Sequence, residues 1–184
     1  DHYARNFDAH LVNKLEYRTP ELLLKLLEPL LPGRPLRVLD LGCGTGLFGE
    51  AIRAHKEFLC GIDLSPQMLE KARQRKLYDL LITGDLITGL TGIATAPYDL
   101  VAAADVFNYV GKLEPVFEAV ALILKDSGWF SFSIETATPE NEAYRLSATG
   151  RFQHRPDYVE ALAAPRGFVL AAKKDAVLRR ERDE

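Results

Sequence analysis

The chain has 184 residues, 47% of them hydrophobic, enough for one domain with a sizeable core. A net charge of −3 without a long basic stripe gives no reason to expect nucleic acid as a partner, and no apolar run approaches the ~18 residues that would cross a membrane. Two cysteines, Cys43 and Cys60, are too few for a disulfide framework and no signal peptide is visible, so a reducing cytoplasm is expected.

The chain begins at Asp1 with no initiator Met, as a trimmed chain does. Residues 3–17 read as an amphipathic helix: Tyr3, Phe7, Leu11 and Leu15 form an apolar stripe, and Tyr3, His10 and Tyr17 share a neighbouring face. Thr19 caps a leucine-rich helix over 22–31, with Pro20 and Glu21 in its first turn and Pro32, Gly33 and Pro35 ending it. An alternating pattern follows. Strand one is Leu36–Leu41, a helix covers Leu47–His55, and strand two runs Glu57–Ile62 and ends at Asp63. Ser65 and Pro66 cap and open a helix to Lys76, whose cations at 71, 73, 75 and 76 complement the dipole of its last turns.

Strand three is Leu80–Thr83, ending at Gly84 and Asp85, and residues 86–97 read as loop. Strand four is Tyr98–Ala104, a helix covers Leu113–Leu124, and Asp126-Ser127-Gly128 turns into strand five, Trp129–Glu135. Beyond it, 136–156 reads as a long loop with a short strand near Tyr144, 157–164 as a helix and Phe168–Leu178 as a final strand before a fraying charged tail. Strands alternating with helices predict an α/β fold, a doubly wound, mostly parallel sheet flanked by helices. One domain is expected over 1–184, with a helical lid at 1–31 and an α/β core at 36–178.

Most chemistry is concentrated between Val38 and Gly49, where a strand runs into a glycine-rich turn. Gly42, Gly44 and Gly46 let the backbone bend tightly and approach a ligand without a Cβ in the way. Gly44, Gly46 and Gly49 also spell the dinucleotide fingerprint, with Asp63 near its expected acid. Asp40 tilts the choice. A carboxylate has no evident job in the doubly buried first strand of a dinucleotide fold, whereas in S-adenosylmethionine (SAM) sites it orients the turn and the ligand's cationic end.

Four segments in this order resemble the class I SAM-dependent methyltransferases, whose fold is Rossmann-like: Leu39–Gly46 (LDLGCGTG), Gly61–Arg73 (GIDLSPQMLEKAR), Gly84-Asp85-Leu86, and Tyr98–Tyr109 (YDLVAAADVFNY) with the Leu124–Trp129 turn. More narrowly, Phe7–Leu11, Tyr17–Pro20, Asp105–Gly111 and Thr149–His154 resemble a bacterial group of predicted methyltransferases often fused to tetratricopeptide repeats, which are absent here.

The resemblance implies a cofactor set of Asp40, Gly42, Cys43, Gly44, Gly46, Asp63, Leu64, Met68, Asp85, Leu86, Ala104 and Asp105. The glycine turn would meet the ribose and methionine portions of SAM. Asp63 would accept from both ribose hydroxyls, Leu64 and Met68 would flank the adenine, Asp85 would accept from its amino group, and Leu86 would give it a backbone contact. Ala104 and Asp105 would face the sulfonium and the methyl group. Three acids ending successive strands point into one crevice. Asp85 also reads as a helix cap.

The expected reaction moves a methyl group from SAM, leaving S-adenosylhomocysteine, to a small-molecule or carrier-bound acceptor. SAM carries its own leaving group, so a general base is needed only for a protonated acceptor. Ala104-Asp105-Val106-Phe107 departs from the Asn/Asp-Pro-Pro-Tyr of enzymes that methylate base or glutamine nitrogens. No cysteine–histidine cluster has metal spacing, so no metal is expected. Candidate catalytic groups are His10, Tyr17, Tyr109 and His154. Candidate substrate contacts are Tyr3, Arg18 beside the SAM carboxylate, Tyr109, Arg145 and Arg151, the last two and His154 suiting an anionic acceptor. Two other classes fit the same motifs, a SAM-binding scaffold or sensor without transfer and an NAD(P)-dependent reductase. The family usually closes its sheet with an antiparallel strand; after Leu178 only charged residues follow, so that strand is expected to be missing or replaced by Tyr144–Phe152.

Overall fold

Apolar strands alternating with half-apolar helices can hide both surfaces only as a sheet covered on two faces. The structure, a computed structural model, describes residues 18–93, 97–137 and 142–177. The helix expected over 3–17, with Tyr3, His10 and Tyr17, lies outside them. Strands β1 (Leu36–Leu41), β2 (Lys56–Asp63), β3 (Leu80–Thr83), β4 (Tyr98–Ala103) and β5 (Leu124–Phe132) form a sheet in the order β3-β2-β1-β4-β5, every pairing parallel. The order reverses between β1 and β4, which puts the ligand crevice of such folds at the C-terminal ends of these two strands.

Alternation along the strands separates the two faces of the core. Leu39, Leu41, Val101 and Ala103 pack with Phe117 and Val120 of α5 (Glu114–Ile123) and Val159 of α6 (Pro156–Ala163). Val38, Leu59, Leu100 and Ala102 pack with Leu23 and Leu27 of α1 (Thr19–Leu27) and Phe48 and Ile52 of α2 (Leu47–Ile52). Thr19 does not cap α1: it is the first helical residue, buried, its Oγ1 without a hydrogen-bond partner, and Arg18 holds the cap position. Ser65 does cap α3 (Pro66–Gln74), its side chain accepting from the Met68 amide.

The expected loop after β3 is instead a helix, α4 (Leu86–Gly92), preceded by Asp85, whose carboxylate accepts from the Ile87 and Thr88 amides. Gly89 lies against β2, where a Cβ would stand 2.8 Å from Ile62 Cγ2. Cap and packing thus override the weak helix propensity of threonine and glycine.

The segment Tyr144–Phe152 does not extend the main sheet. It forms a separate antiparallel hairpin, β6 (Tyr144–Leu146) with β7 (Phe152–His154), bridged in parallel to Thr136 beyond β5. The expected last strand is not formed over 168–177, which carries no regular structure. Phe168 packs edge-on against Phe117, with centroids 6.1 Å apart, but Val169 and Leu170 are exposed. An alternating pattern cannot hold a strand without a neighbour to take its hydrogen bonds.

Candidate active site

The glycine turn leaves β1 through Gly42, Gly44 and Gly46, all left-handed, with φ of 62°, 53° and 89°. Their reasons for being glycine differ. A Cβ on Gly42 would come within 2.6 Å of Val106 Cγ2 and one on Gly46 within 2.9 Å of Tyr78 Cε2. Gly44 alone faces open space, with nothing within 4 Å, so the expectation that all three clear a path for ligand narrows to Gly44.

The turn is tied to its neighbours from several sides. The Gly44 amide donates to Asp63 Oδ2 at 2.8 Å, the Ser65 amide to Asp63 Oδ1 at 2.8 Å, and Arg75 Nε to the Thr45 carbonyl at 2.6 Å. Arg75 therefore does more than complement a helix dipole. Each Asp63 oxygen keeps a further acceptor position, since an ionised carboxylate offers about four lone-pair sites.

A cavity of about 770 Å³ opens at the C-terminal ends of β1, β2, β3 and β4. Every residue expected at the cofactor lines it except Gly46, whose face is taken by Tyr78 and Arg75. Leu64 stands exposed at its edge. Asp85 lines it too, but its Oδ1 is occupied by the α4 amides and its Oδ2 accepts from the Thr88 hydroxyl.

Asp40 is 1% exposed, and Tyr78 donates its hydroxyl to Oδ2 at 2.6 Å. Burial pushes its carboxyl up to about 7; the Tyr78 bond pulls the other way and the Asp63 charge adds to the rise. Burial and the charges of Asp40 and Asp63 push the Cys43 thiol far up, so it is a packing group rather than a nucleophile. Asp105, at the end of β4, holds φ of 59°, rare for a residue with a side chain. Its amide donates to Ser133 Oγ at 2.8 Å and its Oδ1 accepts from Asn108 Nδ2 at 3.2 Å. Burial raises its carboxyl, with Arg151 opposing and Glu135 adding.

On the other side of the cavity the residues expected at the acceptor divide. Tyr109 and Arg151 line it, the Arg151 guanidinium 5.9 Å from the Tyr109 ring centroid. His154 does not: it is fully buried, its Nε2 is 2.9 Å from the Gly111 carbonyl, and burial lowers its pKa. A carbonyl only accepts, so Nε2 carries the proton and the ring is a neutral anchor for the hairpin. Gly111 completes the joint, because a Cβ there would meet Phe152 and Tyr144 at 2.8 Å. Arg145 also lies off the cavity, its Nε donating to Gln153 Oε1 at 3.0 Å, and Arg18 faces Glu21 at 4.0 Å. The motifs missed Lys112 and Tyr78 and gave Pro20 no site role: Lys112 and Pro20 line the cavity, and Tyr78 stands behind Asp40. Lys112 directly follows the Asp105–Gly111 segment and Pro20 closes Tyr17–Pro20, whereas Tyr78 carried no signal.

Among the described residues no group of three His, Cys, Asp or Glu is arranged to hold a metal, and no helix is long and apolar enough to cross a membrane. Residues 39–130, half of the chain, match the family model described as a methyltransferase domain. The malonyl-[acyl-carrier protein] O-methyltransferase of Erwinia pyrifoliae is 40% identical over 83 residues, 45% of this chain and 30% of that protein. The ubiquinone biosynthesis O-methyltransferase of Bordetella avium is 32% identical over 117 residues, 60% of this chain and 47% of that protein. The chain therefore spans less than half the length of either relative. The magnesium protoporphyrin IX methyltransferase of Synechocystis, solved with bound SAH, superposes with a TM-score of 0.66 over 85% of this chain and 75% of that one, at 18% identity, a likeness of fold. With the model spanning β1 to β5, through the glycine turn and the strand-end acids, the chain belongs to the methyltransferase-domain family.

Proposed function

We propose that the chain is a SAM-dependent methyltransferase acting on a small-molecule or carrier-bound acceptor with an anionic group. The observation that carries the cofactor half is Asp40, a buried carboxylate facing the cavity with no cation paired to it among the described residues. It suits a positively charged ligand, which a neutral or anionic dinucleotide end would not be. Open space at Gly44 and the free acceptor positions of Asp63 suit a backbone-hugging ligand with a ribose diol.

SAM, when bound, supplies a methyl group on a sulfonium that leaves as a neutral thioether. The chain's share is binding, alignment and exclusion of water. Asp63 would hold the ribose, and Leu64 and Met68 would cover the adenine. Asp85 retains less capacity for the adenine amino group than expected, because the α4 cap uses it. Ala104 and Asp105, which line the cavity, would bound the reacting end.

Arg151 and Lys112 on the cavity wall support an anionic acceptor, with Tyr109 covering it. A malonyl thioester on a carrier protein, named for the Erwinia relative, joins both properties and is the first acceptor to test. The narrower resemblance to bacterial enzymes with upstream repeats belongs to this proposal as well. Calorimetry with SAM, S-adenosylhomocysteine and NAD(P)⁺ checks the cofactor: binding of NAD(P)⁺ alone refutes it. Transfer of labelled methyl from SAM checks the activity, and tight SAM binding without transfer across an acceptor panel supports a sensor instead. Arg151→Ala is expected to raise acceptor KM with cofactor Kd unchanged; an unchanged KM removes the anionic assignment.

A further inference from the structure

Tyr78 belongs to no motif, yet three separate elements make room for it. Its ring lies where a Cβ on Gly46, at the end of the turn, would come within 2.9 Å of Cε2. A Cβ on Gly49, in α2, would come within 2.6 Å of its Oη, and one on Gly61, in β2, within 2.8 Å of both its Cε1 and Cys43 Sγ. Side chains at any of the three would displace the ring. So two of the three glycines that spell the dinucleotide fingerprint, Gly46 and Gly49, face a tyrosine rather than a ligand.

The slot delivers the phenol hydroxyl to the rear of the site. Tyr78 donates to Asp40 Oδ2 at 2.6 Å, and Asp40 lines the cavity. The groups acting on Asp40 are Tyr78 and Asp63, and Asp40 acts in turn on Cys43 and Cys60, whose thiols burial holds protonated. Tyr78 is thus the single donor to the Asp40 carboxylate among the described residues. Its own hydroxyl is held far above its ordinary range by burial and by the Asp40 charge, so it stays a donor.

We propose that Tyr78 is a positioning residue for cofactor binding, fixing the Asp40 carboxylate toward the cavity to meet the cationic end of SAM, and that Gly46, Gly49 and Gly61 leave the room its ring needs. The inference rests on the SAM reading of the site. Burial holds the Asp40 carboxyl at about 7, and the Tyr78 bond is the force that lowers it. Without that bond the carboxylate protonates at higher pH. Wild-type affinity for SAM therefore falls as pH drops through about 7, and in Tyr78→Phe the same fall moves to higher pH.

The test is SAM Kd by calorimetry from pH 5.5 to 9 for wild type, Tyr78→Phe and Gly49→Ala. A hydrogen bond to a charged group predicts ~10-fold weaker binding by Tyr78→Phe at pH 7, with the gap closing toward pH 9. Gly49→Ala keeps the phenol, adds a good helix former and pushes the ring aside, so its profile shifts in the same direction. A gap of equal size at every pH assigns Tyr78 to packing alone and overturns the proposal, as do superimposable profiles. Wild type that binds no SAM at any pH overturns the cofactor reading itself, a different result from wild-type binding with an unshifted variant.

Discussion

Two buried aspartates at opposite ends of the sheet meet opposite fates. Asp99, near the start of β4, receives Arg34 Nη2 at 2.6 Å, Lys125 Nζ at 3.0 Å and the Arg37 amide at 2.8 Å. Burial opposes its charge, but these partners outweigh burial and hold its carboxyl down at about 2. Asp40, near the end of β1, has one neutral hydroxyl, and burial carries its carboxyl up to about 7. One charge is neutralised within the fold; the other is left for something the fold does not contain. Structural ends of a sheet are compensated, whereas a binding end carries the strain.

The largest test of this contrast is Asp99→Ala. It removes the shared partner of Arg34, Lys125 and the Arg37 amide, and a loss of ~2 kcal/mol is expected by urea denaturation, the linkage worth of a carboxyl held down at about 2. SAM affinity at pH 8 should not change. In wild type this contribution is complete above an unfolded aspartate's pKa and is lost as pH falls from ~4 toward 2. A loss below ~1 kcal/mol would put Asp99 with ordinary surface pairs.

Asp40→Asn should do the reverse. A raised carboxyl means the folded state binds the extra proton, so its cost to stability grows as pH rises from ~4 to about 7 and is complete above that. The variant is expected to be more stable than wild type at pH 8, and equal to it below pH 4, while binding SAM more weakly. Equal stabilities at pH 8 would remove the idea that this end carries strain. Gly44→Ala comes next. A left-handed φ costs ~1 kcal/mol with a side chain, and the new Cβ enters open cavity, so SAM Kd should rise ~10-fold for every 1.4 kcal/mol of clash. His154→Ala acts away from the cofactor end, breaking one neutral hydrogen bond worth ~1 kcal/mol and opening a cavity beside Tyr144 and Tyr158. Amide exchange should quicken over the hairpin and acceptor KM should rise, with cofactor Kd unchanged.

How far the sequence could be read follows from the range of the forces involved. β1 and β3 begin and end where the apolar runs do, and Ser65 caps α3, because runs and caps are decided within a few residues. The α4 helix escaped because its stability comes from Asp85 and from Ile62 across the sheet, not from its own threonines and glycines. The residues 168–177 misled in the opposite sense, since alternation says which side chains would be buried but not whether a partner strand is there. At the site, Asp63 and Asp85 were legible as the residues that stop apolar runs, and their roles with that of Asp40 were implied by the resemblance. His154 and Arg145 were not separable from Arg151, because only the fold of the hairpin turns one of the three toward the cavity.

The sequence by itself determined the alternation of β1 to β5 with α2, α3 and α5, the glycine turn with Asp40 and Asp63, and, through its motifs, membership of a methyltransferase family. Tertiary structure alone decided which glycine faces ligand and which face Tyr78, which arginine reaches the cavity, and which aspartate keeps an uncompensated charge. The first set rests on contacts between residues close along the chain or on a repeating period. The second depends on desolvation and on neighbours far away in sequence, quantities that exist only once the sheet has closed over them.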